Sequence, residues 1–122
     1  MSNDSLPLLK QPFLLLMAGS SQSGKTSTVL QWLMNKEKIF ESPFEKITFI
    51  YQSVHQEEFK NPLLKNVEFT NSLEKFYNLK TYNSNGHLMI LDDALDIIGN
   101  DATKDVHHMN TSVIILTQSI FL

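Results

Sequence analysis

The sequence predicts an α/β domain with a mostly parallel sheet flanked by helices, and three stretches carry that expectation. Phe13-Leu14-Leu15-Leu16-Met17-Ala18, His87-Leu88-Met89-Ile90-Leu91 and Ser112-Val113-Ile114-Ile115-Leu116 are short, nearly continuous apolar runs. Strands covered on both faces read this way, without alternation, and sheets covered on both faces are commonly parallel. The first run passes through a glycine turn into a segment with helical spacing, the strand–loop–helix order of such folds.

Bulk properties narrow the field. At 122 residues the chain holds one domain at most, large enough for a core. A net charge of −3 and a pI near 5.7 give no overall basic footprint for nucleic acid. With no cysteine, disulfides and thiolate metal sites are excluded. All ten basic residues are lysine, so any arginine acting on this chain belongs to another chain or to further sequence. No apolar run approaches the ~20 residues of a membrane span. The start, Met1-Ser2-Asn3-Asp4, lacks the basic flank of a secretory signal, so the expected compartment is intracellular, with no membrane partner.

Residues 1–12, with Pro7 and Pro12, read as an irregular lead-in, and 13–122 as the domain. After the first strand, Val29, Leu30, Trp32 and Leu33 set against Gln31, Asn35, Lys36, Glu37 and Lys38 give an amphipathic helix. Pro43 breaks it, because the residue before a proline is steered away from helix. Ile47-Thr48-Phe49-Ile50-Tyr51 is β-branched and aromatic and reads as a second strand. Between 52 and 86 the signals weaken. Asn61-Pro62 is a turn, Val67-Glu68-Phe69 a short strand, and Asn71 with Glu74 a capping box for a helix bearing Leu73, Phe76 and Tyr77. Aromatic residues here are assigned to the core. Asn83-Ser84-Asn85-Gly86 is a turn, and Ala94–Ile98 a short helix ended by Gly99-Asn100.

The glycine turn is Gly19-Ser20-Ser21-Gln22-Ser23-Gly24-Lys25-Thr26, followed by Ser27. It matches G-x-x-x-x-G-K-T, the phosphate-binding loop. Glycines at 19 and 24 let the backbone curl so that successive N–H groups face phosphate oxygens at the positive end of a helix. Gly19 through Ser27 are therefore the candidate ATP-binding residues, with Lys25 on the β- and γ-phosphates and Thr26 placed to ligate Mg²⁺.

The second apolar run ends in Asp92-Asp93. A carboxylate at the carboxyl edge of a strand can hold Mg²⁺, directly or through water, and a second beside it can orient or deprotonate an attacking water. Asp92 is the candidate metal ligand and Asp93 the candidate catalytic acid–base group; neighbours on a strand alternate faces, so the two need not point together. The last run ends in Thr117-Gln118, where Gln118 either senses the γ-phosphate and positions water or satisfies loop backbone. His107-His108 point apart on a helix or a strand and are not read as a shared metal site.

Gly-Ser-Ser-Gln-Ser-Gly-Lys-Thr, Leu-Met-Ile-Leu-Asp-Asp and His107-His108-Met109-Asn110-Thr111-Ser112-Val113-Ile114-Ile115-Leu116-Thr117-Gln118-Ser119-Ile120-Phe121 together resemble the packaging-type ATPases of the FtsK–HerA superfamily. The likeness is to those of double-stranded DNA viruses and of Polinton/Maverick or adintovirus-like elements. The phosphate loop is generic; the last run carries most of the resemblance. It implies a RecA-like P-loop NTPase core with the Ser112–Leu116 strand between the other two apolar strands. It further implies a homo-oligomeric ring that moves double-stranded DNA by ATP hydrolysis. By position it gives Lys25 and Thr26 to phosphate and Mg²⁺, Asp92 to Mg²⁺, Asp93 to the catalytic acid and Gln118 to the polar sensor. Two departures stand out: the later strand and the arginine that reaches a neighbour's site have no counterpart, and the catalytic acid is Asp in place of Glu. The chain accordingly reads as the amino-terminal part of such a domain. Two other functions compete with the motor: a nucleotide-binding remnant without turnover, and a nucleoside or nucleotide kinase, which fits poorly with a chain lacking arginine.

Overall fold

Apolar side chains at consecutive positions leave a strand no face for water, and the chain answers by placing its most apolar strands at the sheet centre. A computed structural model describes residues 8–19, 24–51, 57–72, 74, 86–93 and 111–118. The strands are β1 (Leu14–Ala18), β2 (Lys46–Tyr51), β3 (Val67–Thr70), β4 (His87–Asp92) and β5 (Thr111–Thr117). They form one five-stranded sheet in the order β1-β5-β4-β2-β3, and every pairing is parallel. The expected α/β class with a parallel sheet and flanking helices is what the structure has. β5 lies between β1 and β4, the order that the resemblance implies.

The register stacks side chains in rows across the sheet. Leu15, Ile114, Ile90, Phe49 and Phe69 share one row. Against this face packs helix α1 (Lys25–Met34), which buries Val29, Leu30 and Leu33. On the opposite face Ile50, Met89, Leu91, Val113 and Ile115 are also fully buried. Polar groups on that face meet each other: His87 Nε2 lies 3.1 Å from the Thr48 hydroxyl, which offsets part of the cost of burying both groups. β1, at the end of the strand order, is the least covered, with Leu16 43% exposed.

Two aromatic clusters brace the sheet. Phe59, in the 3₁₀ turn Glu57–Lys60, stacks on Phe69 with ring centroids 4.2 Å apart and also meets Phe49 and Tyr51. Phe13, Phe40 and Phe44 join the lead-in to the short helix α2 (Lys36–Ile39) and the link into β2. Of the lead-in, residues 8–12 are described, and contacts tie them to the chain after α2. Leu9 bridges to Phe40, and the Gln11 amide donates to the carbonyls of Ser42 and Pro43 at 3.0 and 3.1 Å. Ser72 Oγ accepts from the Glu74 N–H at 3.3 Å; the helix expected after Asn71, the helix at 94–98 and His107-His108 lie outside the described residues. Among the described residues no helix is long and apolar enough to cross a membrane.

The turn into β4 depends on Gly86. Its φ of 80° lies in the left-handed region, and a Cβ there would sit 3.3 Å from the Glu45 N. Its carbonyl accepts from the N–H groups of Glu45 and Lys46, tying the starts of β2 and β4 together. Gly86→Ala should therefore cost about 1–2 kcal/mol, read as a fall of roughly 4–8 °C in Tm; an unchanged Tm would show that this turn does not set the register.

Candidate functional site

Because all strands run the same way, their carboxyl ends share one edge, and the residues after β1, β4 and β5 meet there. Gly19, just past β1, donates its N–H to the Thr117 carbonyl at the end of β5, 3.1 Å away. Gly24 leads into α1 with φ 84°, a conformation that glycine adopts without strain. Nothing lies within 4 Å of the Cβ it lacks, so the requirement for glycine here is one of backbone conformation and not of space. Ser20, Ser21, Gln22 and Ser23 lie outside the described residues.

Helix α1 begins without a side-chain cap and without an acidic residue in its first turn. The first N–H groups of a helix and the positive end of its dipole favour an anion. Lys25, at the same end, turns its ammonium group back to donate to the Gly19 carbonyl. Ser27 is exposed on α1, where it lines a cleft of about 500 Å³ with Leu30, Gln31 and Glu57. A hollow of about 530 Å³ at the other end of α1, lined by Met34, Lys36 and Phe44, contains none of the predicted residues.

The contact that joins the two motifs runs from Thr26 to Asp92. The Thr26 hydroxyl donates to Asp92 Oδ2 at 3.2 Å, across 66 residues of sequence. Asp92 is the last residue of β4, and its alternation with Leu88 and Ile90 turns it toward α1. Two oxygens bound side by side to one Mg²⁺ at 2.0–2.1 Å lie about 2.9 Å apart. The observed pair is within a few tenths of an ångström of that spacing, so Thr26 and Asp92 suit a shared Mg²⁺. Among the described residues no group of three or more His, Cys, Asp or Glu could hold a metal alone. A cation here would need phosphate oxygens and water to complete its shell, as Mg²⁺ at phosphate sites does.

Asp93 leaves the strand at once. Its φ of 61° places it in the left-handed region, which Asp tolerates better than most residues but still at a cost. Its N–H donates to the Leu116 carbonyl at 2.9 Å, and its Oδ2 accepts from the Gln118 amide at 3.4 Å. The pair therefore divides: Asp92 faces the helix and Asp93 faces Gln118, with both Asp93 and Gln118 exposed to solvent. A carboxylate and an amide side by side at an open edge can bind and orient a water molecule.

Burial raises the pKa of Asp92 above the ordinary 3.8; the Thr26 hydrogen bond opposes this, the charge of Asp93 adds to it, and Lys25 opposes it. One further residue belongs at this edge. Tyr51, at the end of β2, pairs in register with Asp92, whereas sequence reasoning gave it only to a strand. The signal that could have found it is its place at the carboxyl end, which becomes informative once β2 is known to neighbour β4.

No protein-family model, curated protein or solved structure matches the chain.

The direction of the Asp92 shift fixes a pH dependence. A carboxyl whose pKa is higher folded than unfolded loses stability as pH rises from the unfolded value to the folded one, and the full penalty stands above the folded value. Asp92→Asn, which keeps an acceptor for Thr26, should raise Tm of the metal-free chain at pH 7, with the gain vanishing below the ordinary carboxylate pKa. Thermal melts across pH 3–8 check this, and a gain that does not vary with pH would remove charge burial as its cause.

Proposed function

We propose that this chain is an ATP-binding P-loop ATPase with a RecA-like core, of the kind that couples hydrolysis of ATP to ADP and phosphate with movement of double-stranded DNA in a homo-oligomeric ring. The observation that carries the nucleotide reading is the 3.2 Å contact between Thr26 and Asp92, which unites two motifs that are independent in sequence. The uncapped start of α1 and the adjacent Lys25 supply the cationic end such a ligand needs. The DNA-moving part rests on the resemblance of the run from His107 to Phe121, with which the position of β5 between β1 and β4 is compatible.

The residues divide the work by chemistry. Gly19–Ser27 and the Lys25 ammonium bind and orient the triphosphate. Thr26 and Asp92 would hold Mg²⁺, which supplies charge neutralisation on the β- and γ-oxygens. Asp93 accepts a proton from the attacking water, and Gln118 orients that water and holds the Asp93 carboxylate. A second copy of this sequence brings no arginine to the site, so a cation acting across a ring interface would be a lysine or would come from other sequence. That absence favours a second reading, nucleotide binding without turnover.

Lys25→Ala should weaken ATP·Mg²⁺ binding at least tenfold, from the loss of a charged hydrogen bond of about 1.5–3 kcal/mol. Unchanged affinity by calorimetry would overturn the phosphate-loop reading.

Asp93→Asn preserves a side chain that tolerates the left-handed backbone and should leave binding intact while turnover falls about 10²–10⁴-fold. The parent chain should hydrolyse ATP faster when duplex DNA is added at low salt, where phosphate contacts are strongest. Binding without turnover, with or without DNA, would select the second reading, and phosphorylation of a small acceptor would overturn both.

A further inference from the structure

The register places Met17, Leu116, Asp92 and Tyr51 in one row along the carboxyl edge, all on the face that α1 covers. Asp92 thus has one in-row neighbour on each side. Leu116 offers no polar group. Tyr51 offers a phenolic hydroxyl, and side chains in register on adjacent strands stand close enough for a long side chain to reach its neighbour's surroundings.

Tyr51 is also mounted unlike its fellows on β2. Ile47 and Phe49 on the same face are buried and apolar, but Tyr51 is half-buried at the strand's open end. Its ring centroid is 5.6 Å from that of Phe59, whose own ring is stacked on Phe69. The aromatic body is therefore fixed by packing while the residue sits at the wet edge, an arrangement that suits a side chain with an apolar body and a polar tip. Asp92, for its part, is a carboxylate short of solvent and beside a second negative charge, so a donor near it has a physical task.

We propose that Tyr51 is a positioning residue of the cation site, its hydroxyl donating into the water shell of the Mg²⁺ held at Thr26 and Asp92. The inference rests on the nucleotide reading above and adds a residue that neither motif contains. Groups outside the direct ligands orient bound water and carboxylate oxygens, and their loss typically lowers metal affinity 10–100-fold. Phe at this position would keep the ring, its packing on Phe59 and the strand, and would remove the hydroxyl alone.

The test is Tyr51→Phe, read by ATP binding as a function of Mg²⁺ concentration, with ATP binding in EDTA and thermal unfolding measured alongside. The half-saturating Mg²⁺ concentration should rise about tenfold, while Tm and the weak binding in EDTA stay at parent values. Mg²⁺ dependence identical to the parent would overturn the inference and leave the nucleotide reading standing. So would an equal loss with and without Mg²⁺, which would mark Tyr51 as a packing residue. A parent chain that binds no ATP at any Mg²⁺ concentration would overturn the nucleotide reading and this inference with it.

Discussion

Every strand in the sheet points the same way, and the chemistry of the molecule follows from that constraint. Parallel neighbours cannot be joined by tight hairpins, and all strands deliver their carboxyl ends to a single edge. Burial on both faces demands strands apolar on both sides, which β4 and β5 supply with Leu88 to Leu91 and Val113 to Leu116 fully buried. Polar residues return where these strands reach their carboxyl ends. Asp92, Thr117 and Gln118 stand at those ends, and Gly19 and Lys25 follow β1 into α1. The contact between Thr26 and Asp92 is therefore a product of strand direction and order, with β5 inserted between the strands that carry the two motifs.

That edge is also where local preferences are least satisfied. α1 starts without a cap, Asp92 is a carboxylate partly withdrawn from water, and Asp93 adopts a left-handed backbone. Each is unfavourable in the isolated chain. Concentration of unmet demands in one place is the pattern expected of a binding site, where the ligand completes what the protein leaves open. On the proposed reading the edge is also complementary in charge: a helix start and a lysine favour an anion, and the carboxylates favour a cation, as a metal–phosphate complex presents.

The strands were legible in the sequence because their signal is local. Four or more apolar residues in succession leave no amphipathic alternative, and β4 and β5 came within a residue of their predicted ends. What was not legible depended on who neighbours whom. Tyr51 looks like any aromatic strand residue until the pairing of β2 with β4 puts it beside Asp92. The bridge from Leu9 to Phe40, about thirty residues away, likewise depends on packing that local composition does not carry.

On the proposed reading, the charge at the edge separates hydrolysis from transfer to a larger acceptor. Transfer to another phosphate ester brings several more negative charges to the site and calls for several cations to hold them. The described edge provides one, Lys25, and opposes it with two carboxylates. Water as the acceptor adds no charge, needs only a proton acceptor and an orienting group, and finds both in Asp93 and Gln118, which already touch. The same count explains why the cation matters so much to this chain. With no arginine in the sequence, neutralisation of the phosphates falls to Lys25, to the start of α1 and to whatever metal Thr26 and Asp92 hold, so groups that organise that metal carry a larger share of the function than they would in a site rich in arginine.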